Sequence, residues 1–177
     1  MRVFPWICGA VLVVGAVFSY PGRDYVLVGL MLFLPFFDRG WKIPALPRSR
    51  SHRLIWAGLL IAGMALLLWQ PSKMSFAFSA LLTAALPEEW FFRAYFMTQI
   101  GQGWHANLVA SVLFSLLHGL THNWYTALLV LVPSLFYGWL YQRTRDLPLL
   151  VLAHALSNLV YVMFLAGFVA TWVPDLR

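Results

Sequence analysis

Two adjacent glutamates and an arginine stand inside a stretch that is otherwise apolar, Leu82-Thr83-Ala84-Ala85-Leu86-Pro87-Glu88-Glu89-Trp90-Phe91-Phe92-Arg93, and they are the only glutamates in the chain. A formal charge at mid-bilayer costs about 2.5–3.5 kcal/mol on insertion scales, so charges kept there ordinarily serve a purpose. On a helix Glu89 and Arg93 are i and i+4, share a face and can pair, while Glu88 points about 100° away and lacks that partner. The two carboxyls can then have different tasks. An arginine-paired carboxylate stays ionised, whereas an unpaired one in a low dielectric gains proton affinity and can exchange protons. Pro87 removes a helical hydrogen bond and frees the carbonyl near Thr83, which predicts a kink just before the acids. The structural alternative is an ion pair that pins helix packing, with Glu88 a neutral acid hydrogen-bonded to a neighbouring helix.

Two further apolar runs carry imidazoles at the same i, i+4 spacing, in Phe114-Ser115-Leu116-Leu117-His118 and His154-Ala155-Leu156-Ser157-Asn158. The Phe114 ring can orient His118 by packing, and His154 and Asn158 project two polar heads from one helix face. Taken singly, either histidine is better explained by a hydrogen bond to a backbone carbonyl or a serine hydroxyl; taken with the glutamates, they suggest a site. His52, His105 and His122 fall at run ends and are expected to be solvated, with His122 also placed to line an entrance. The serines Ser79, Ser111, Ser115, Ser134 and Ser157 show no nucleophile elbow and no Ser-Lys dyad. There is no His-Glu-x-x-His, no Gly-Asp aspartyl pair, no phosphate-cradling glycine loop and no cysteine cluster.

The elements that must position these groups are membrane helices. Of 177 residues 62% are hydrophobic and only 10% charged, against roughly a quarter charged in an ordinary soluble domain, and the mean hydropathy is +0.77. Nearly uncharged runs at Val3 to Tyr20, Tyr25 to Phe37, Leu54 to Gln70, Met74 to Gly101, Trp104 to Gly119, Trp124 to Gln142 and Leu147 to Phe168 predict an all-α polytopic bundle. About seven spans, six to eight, surround a polar cavity in one membrane domain covering 1–177. Tyr25 to Phe37 is short for a span. The net charge of +6 points to lipid and not to nucleic acid, because the cations lie between runs instead of along one face. Arg2, the loop Asp38 to Arg53 (Arg39, Lys42, Arg48, Arg50, Arg53), Arg143 and Arg145 oppose Arg23, Lys73 and Arg177, so the amino terminus is expected in the cytoplasm. Trp6, Trp41, Trp56, Trp69, Trp104, Trp124, Trp139 and Trp172 lie near run ends, as an interfacial belt would. Lone Cys8 permits no internal disulfide. Counted from the cytoplasmic run ends, Glu88, His118, His154 and Asn158 lie between roughly 10 and 21 Å deep, a wide spread for one site.

In that order, in separate spans and within 71 residues, 88 to 158, Glu88-Glu89-x-x-x-Arg93, Phe114-x-x-x-His118 and His154-x-x-x-Asn158 resemble the three signature motifs of the CAAX protease and bacteriocin-processing family, also called Abi. The stretch Tyr137 to Arg145 resembles the family's run-up to the third motif. The resemblance covers a core of 81–161 and not the first three spans. It implies a glutamic-type intramembrane endopeptidase of the bacterial or archaeal cytoplasmic membrane, helical around a conical cavity and free of cofactor. Carried over by motif, Glu88 would activate water with help from His118, His154 and Asn158 would stabilise the oxyanion, and Glu89, Arg93 and Phe114 would support them. The implied partner is a membrane-associated peptide, a C-terminal sorting tail or a lipidated or leader-type substrate. A zinc variant with Glu88, His118 and His154 as ligands stays open. So do a proton-coupled transporter and a non-catalytic immunity or scaffold protein.

Overall fold

Among the described residues, apolar runs punctuated by short polar turns fold as seven helices. The computed structural model describes residues 2–47 and 49–172; Arg48, Arg177 and the Trp172 side chain, named above, lie outside the described residues. In chain order the helices are α1 (Phe4–Val17), α2 (Arg23–Phe33, extended by a 3-10 turn at Leu34–Phe37), α3 (Arg50–Trp69), α4 (74–100), α5 (Trp104–Thr121), α6 (Trp124–Thr144) and α7 (147–172). No strand occurs among the described residues, and the fold is an all-helical membrane bundle. Among the described residues three helices are long and apolar enough to cross a bilayer by length and composition, Arg50–Trp69, Trp124–Thr144 and the Leu147–Val169 part of α7. By contrast α1 has 14 residues, which reach about 21 Å against a hydrocarbon core of about 30 Å.

Caps and glycines set the boundaries. Asn123 accepts the Thr126 N–H at 2.8 Å and starts α6, and Asp146 accepts the Leu149 N–H at 2.9 Å and starts α7. Gly103, with φ +79°, separates α4 from α5 in a conformation that a side chain would strain. Helix α4 runs through Pro87 without a break. It takes up the missing N–H by widening to π-type hydrogen bonding over Ala80–Ala85 and again over Glu89–Met97, with Leu86 N–H donating to the Leu81 carbonyl five residues back. A π turn offers the ring room that the i−4 carbonyl would otherwise deny it, and such turns cluster at functional sites.

The helices alternate up and down, as contacts at the two ends show. At one end Arg2 donates to the Gly40 carbonyl at 2.9 Å and bonds Gln99, Gln142 donates to the Gly103 carbonyl at 2.7 Å, and His52 meets Asp146 at 2.6 Å. Arg39, Lys42, Arg50, Arg53, Arg143 and Arg145 belong to the same end and are exposed or in its loops. The opposite end holds Arg23, which donates to the Thr121 carbonyl at 2.7 Å, and Lys73.

The core lies between the aromatic face of α4 and its neighbours, with Phe91, Phe92, Tyr95 and Phe96 packed on Cys8, Leu12, Ala110 and Phe114. Helices α5 and α6 form an antiparallel hairpin closed by Gly138, where a Cβ would overlap the Asn107 carboxamide, itself held by the Leu135 carbonyl at 2.9 Å. Gly138→Ala should therefore cost about 1–3 kcal/mol by overpacking, read as a lower unfolding temperature in detergent. Helix α3 has no buried residue; apolar all round, it faces lipid.

Not every tryptophan stays in the belt. Trp69, Trp104, Trp124 and Trp139 are exposed, but Trp41 turns inward to donate to the Ala94 carbonyl at 3.1 Å and Trp56 to Asp146 at 2.9 Å. His52, expected in water, is likewise drawn to Asp146. That carboxylate is fully buried and at once caps α7 and receives two donors from α3. Its loss strips the cap and leaves those donors unpaired, so Asp146→Ala should destabilise by about 1–3 kcal/mol. Proteolysis of the α3–α7 junction in membranes would report it.

Candidate active site

Helix α4 delivers three charged groups to one level of the bundle, and α5, α6 and α7 surround them. Glu89 and Arg93 are essentially inaccessible, 0% and 1% exposed, and face each other at 3.4 Å between Oε2 and Nε, as the i, i+4 spacing requires. The contact is ionic more than hydrogen-bonded, since Glu89 Oε2 and Arg93 Nη1 have no hydrogen-bond partner among the described residues. Arg93 also donates through Nη2 to the Ser134 hydroxyl at 2.8 Å and carbonyl at 3.2 Å on α6, and its guanidinium lies 4.8 Å from the centre of the Phe114 ring. Charge, hydrogen bonds and a cation–π contact thus tie α4 to α5 and α6.

Glu88 turns to the other side. Its Oε1 lies 3.9 Å from His118 Nε2 and its Oε2 lies 3.7 Å from His154 Nε2. Both rings are aimed by their other nitrogen. His118 Nδ1 donates to the Phe114 carbonyl one turn back at 3.0 Å, and His154 Nδ1 donates to Glu89 Oε1 at 2.8 Å. The two carboxylates therefore flank one imidazole, the buried one orienting it and the accessible one facing its free nitrogen. Phe114 sits at the centre, its ring 4.4 Å from His118 and 6.5 Å from His154. Tyr137 of α6 stacks on His154 at 5.2 Å and donates to the Ser157 hydroxyl at 2.6 Å, closing the ring from the far side.

The carboxylate and His118 line a cavity of about 240 Å³ that runs from Phe92 and Met31 past Leu12, Leu27, Val28, Thr83 and Ala84 to Asp24, Thr121 and His122. His122 stands at the mouth, 5.8 Å from the His118 ring. Partial desolvation, with His118 beside it, holds its imidazole below the usual histidine range, although Asp24 and Glu88 oppose this. His105 is exposed on the first turn of α5 and takes no part.

Of the residues singled out from sequence, Glu88, Glu89, Arg93, Phe114, His118 and His154 come together from three helices. Asn158 does not join them by contact. It lies one turn beyond His154 on α7, half-buried, and its side chain makes no hydrogen bond among the described residues. Sequence reasoning missed Ser134 and Tyr137, which act on Arg93 and His154 from α6. The signal was their i, i+3 spacing on one face, together with Gly138 and Tyr141, in a helix whose serine had been weighed only as a nucleophile. Among the described residues no group of three or more His, Cys, Asp or Glu side chains is spaced to hold a metal ion.

No curated protein and no solved structure matches the chain. A family does. The type II CAAX prenyl endopeptidase Rce1-like family matches residues 70–160, from the turn before α4 to the helical turn that carries Asn158, and so spans Arg93, His118 and His154, the side chains paired with Glu88 or Glu89. More than half of the sequence lies in that match, and the chain belongs to the type II CAAX prenyl endopeptidase Rce1-like family of intramembrane endopeptidases.

Proposed function

We propose that the protein is a glutamic-type endopeptidase in which Glu88 is the general base. The observation that carries this reading is the paired separation of Glu88 from two ring nitrogens, 3.9 and 3.7 Å. Both are too long for a direct hydrogen bond, and a water seated beside the pair can bond carboxylate and ring together. Glu88 takes a proton from that water as its oxygen attacks the substrate carbonyl, and later gives the proton to the leaving amine. His118, with Nδ1 committed to the Phe114 carbonyl, turns Nε2 to the same water and holds it. His154, aimed by Glu89 and Tyr137, donates through a protonated Nε2 to the developing oxyanion. Asn158, whose carboxamide no other described residue engages, supplies the second donor once substrate is seated. The substrate is a membrane-associated peptide segment, entering the cavity extended; sorting tails, leader peptides and lipidated termini all present such a backbone.

Peptide mapping of membranes holding either the wild-type protein or Glu88→Gln tests the proposal: a terminus formed only by the wild type supports it. Glu88-dependent solute flux in liposomes without hydrolysis would instead make the protein a carrier, and an unchanged phenotype in Glu88→Gln would make it a scaffold. None of these steps uses a metal. Glu88, His118 and His154 are also the donor set of the zinc alternative. Activity that persists under strong chelation, at a zinc content far below one per chain by elemental analysis, supports the metal-free reaction, and its loss with restoration by zinc refutes it.

A further inference from the structure

The cavity opens at one end of the bundle and the cations gather at the other. Its mouth is formed by Asp24 at the start of α2 and by Thr121 and His122 at the end of α5, beside Arg23, whose charge is matched by Asp24 at 3.2 Å. The far end carries Arg2, the basic loop before α3 and the pair Arg143 and Arg145, joined across the bundle by the Arg2–Gly40 and His52–Asp146 contacts. All connections are short, which is the regime in which Lys and Arg decide orientation and acids contribute little. The cation-rich end is thus the cytoplasmic one. Along the cavity, Asp24 and His122 are exposed at the opposite end, while Phe92 and Met31 are buried on the side toward the basic end.

We infer that the cavity opens on the non-cytoplasmic face, so that the enzyme cuts membrane-anchored proteins or peptides on their translocated side and not tails left in the cytoplasm. This rests on the endopeptidase reading above and narrows its substrate class. A bond to be cut must reach Glu88 past His122, and only a segment already carried across the membrane, or anchored by a helix that ends there, can present it.

The test reads the side of the mouth without turnover. In a Cys8→Ala background, His122→Cys and Lys42→Cys are treated with a membrane-impermeant maleimide in intact bacterial cells and again after permeabilisation; Tyr20→Cys and Arg145→Cys form a second pair if either first variant does not fold. Labelling of 122 in intact cells, with 42 labelled only after permeabilisation, is the expected result. Labelling of 42 in intact cells, or of 122 only after permeabilisation, overturns the inference. Adding Glu88→Gln should leave the pattern unchanged, so reversed labelling refutes the orientation while hydrolysis stands, and absent hydrolysis refutes the enzyme while the orientation stands. Where both hold, the terminus lost in Glu88→Gln membranes belongs to a translocated segment; a cytoplasmic tail in its place refutes the substrate class.

Discussion

Glu88→Gln is expected to slow peptide-bond hydrolysis about 10³-fold, within the 10²–10⁴-fold range typical of a positioned general base, with little change in stability. The side chain keeps its size and is only partly buried, and its neighbours His118 and His154 retain their own anchors at Phe114 and Glu89. Purified protein in detergent, assayed on the peptide identified by membrane mapping and checked by circular dichroism and thermal unfolding, would show a collapsed kcat with an unaltered melting profile. Glu88→Asp should retain more activity than Glu88→Gln, because it keeps a base and only lengthens its reach. Equal activity of wild type and Glu88→Gln would refute the assignment. His118→Ala should cost less than Glu88→Gln, since it removes a group that holds the water and leaves the one that takes its proton.

Arg93→Met should act in the opposite way, on folding before chemistry. Removing one partner of a buried pair leaves the other charge uncompensated and costs about 3–5 kcal/mol, a large part of a total stability of about 5–15 kcal/mol. Glu89 would keep only the His154 ring, and Ser134 would lose the guanidinium that joins α4 to α6. Lower yield and a marked fall in unfolding temperature in detergent are the expected readings. Arg93→Lys should do better than Met but worse than wild type, since an ammonium retains the charge without the planar fork that reaches Ser134. The double variant Glu89→Gln, Arg93→Met should recover part of the loss, because no buried charge is then stranded. Strict additivity of the two single variants would show that the pair is not coupled.

Local relations were legible in the sequence and remote ones were not. The Glu89–Arg93 pair and the placing of Glu88 on a different face follow from helical spacing alone, as do the seven runs that became seven helices. The approach of Glu88 to His118 and His154 depends on how three helices are staggered, which no spacing within a run encodes. Depth counted from run ends therefore scattered where the structure shows contact. Pro87 signalled a disturbance, and the disturbance takes the form of π turns on both sides of it, because widening the helix keeps its backbone paired in a medium that offers no water. Asp146 and His52 lie 94 positions apart, and His52 read alone is a polar residue at a wet run end. The same holds for Trp41 and Trp56, whose indole N–H groups found buried acceptors that composition could not disclose.

The cavity wall has two origins. Glu88, Phe92 and His118 come from the segment that the family shares, but Leu12, Leu27, Val28 and Met31 come from α1 and α2, outside residues 70–160. Part of the slot is thus shaped outside the shared segment. Exchanging the first two helices would recut that side of it while Glu88, His118 and His154 kept their anchors on α4, α5 and α7.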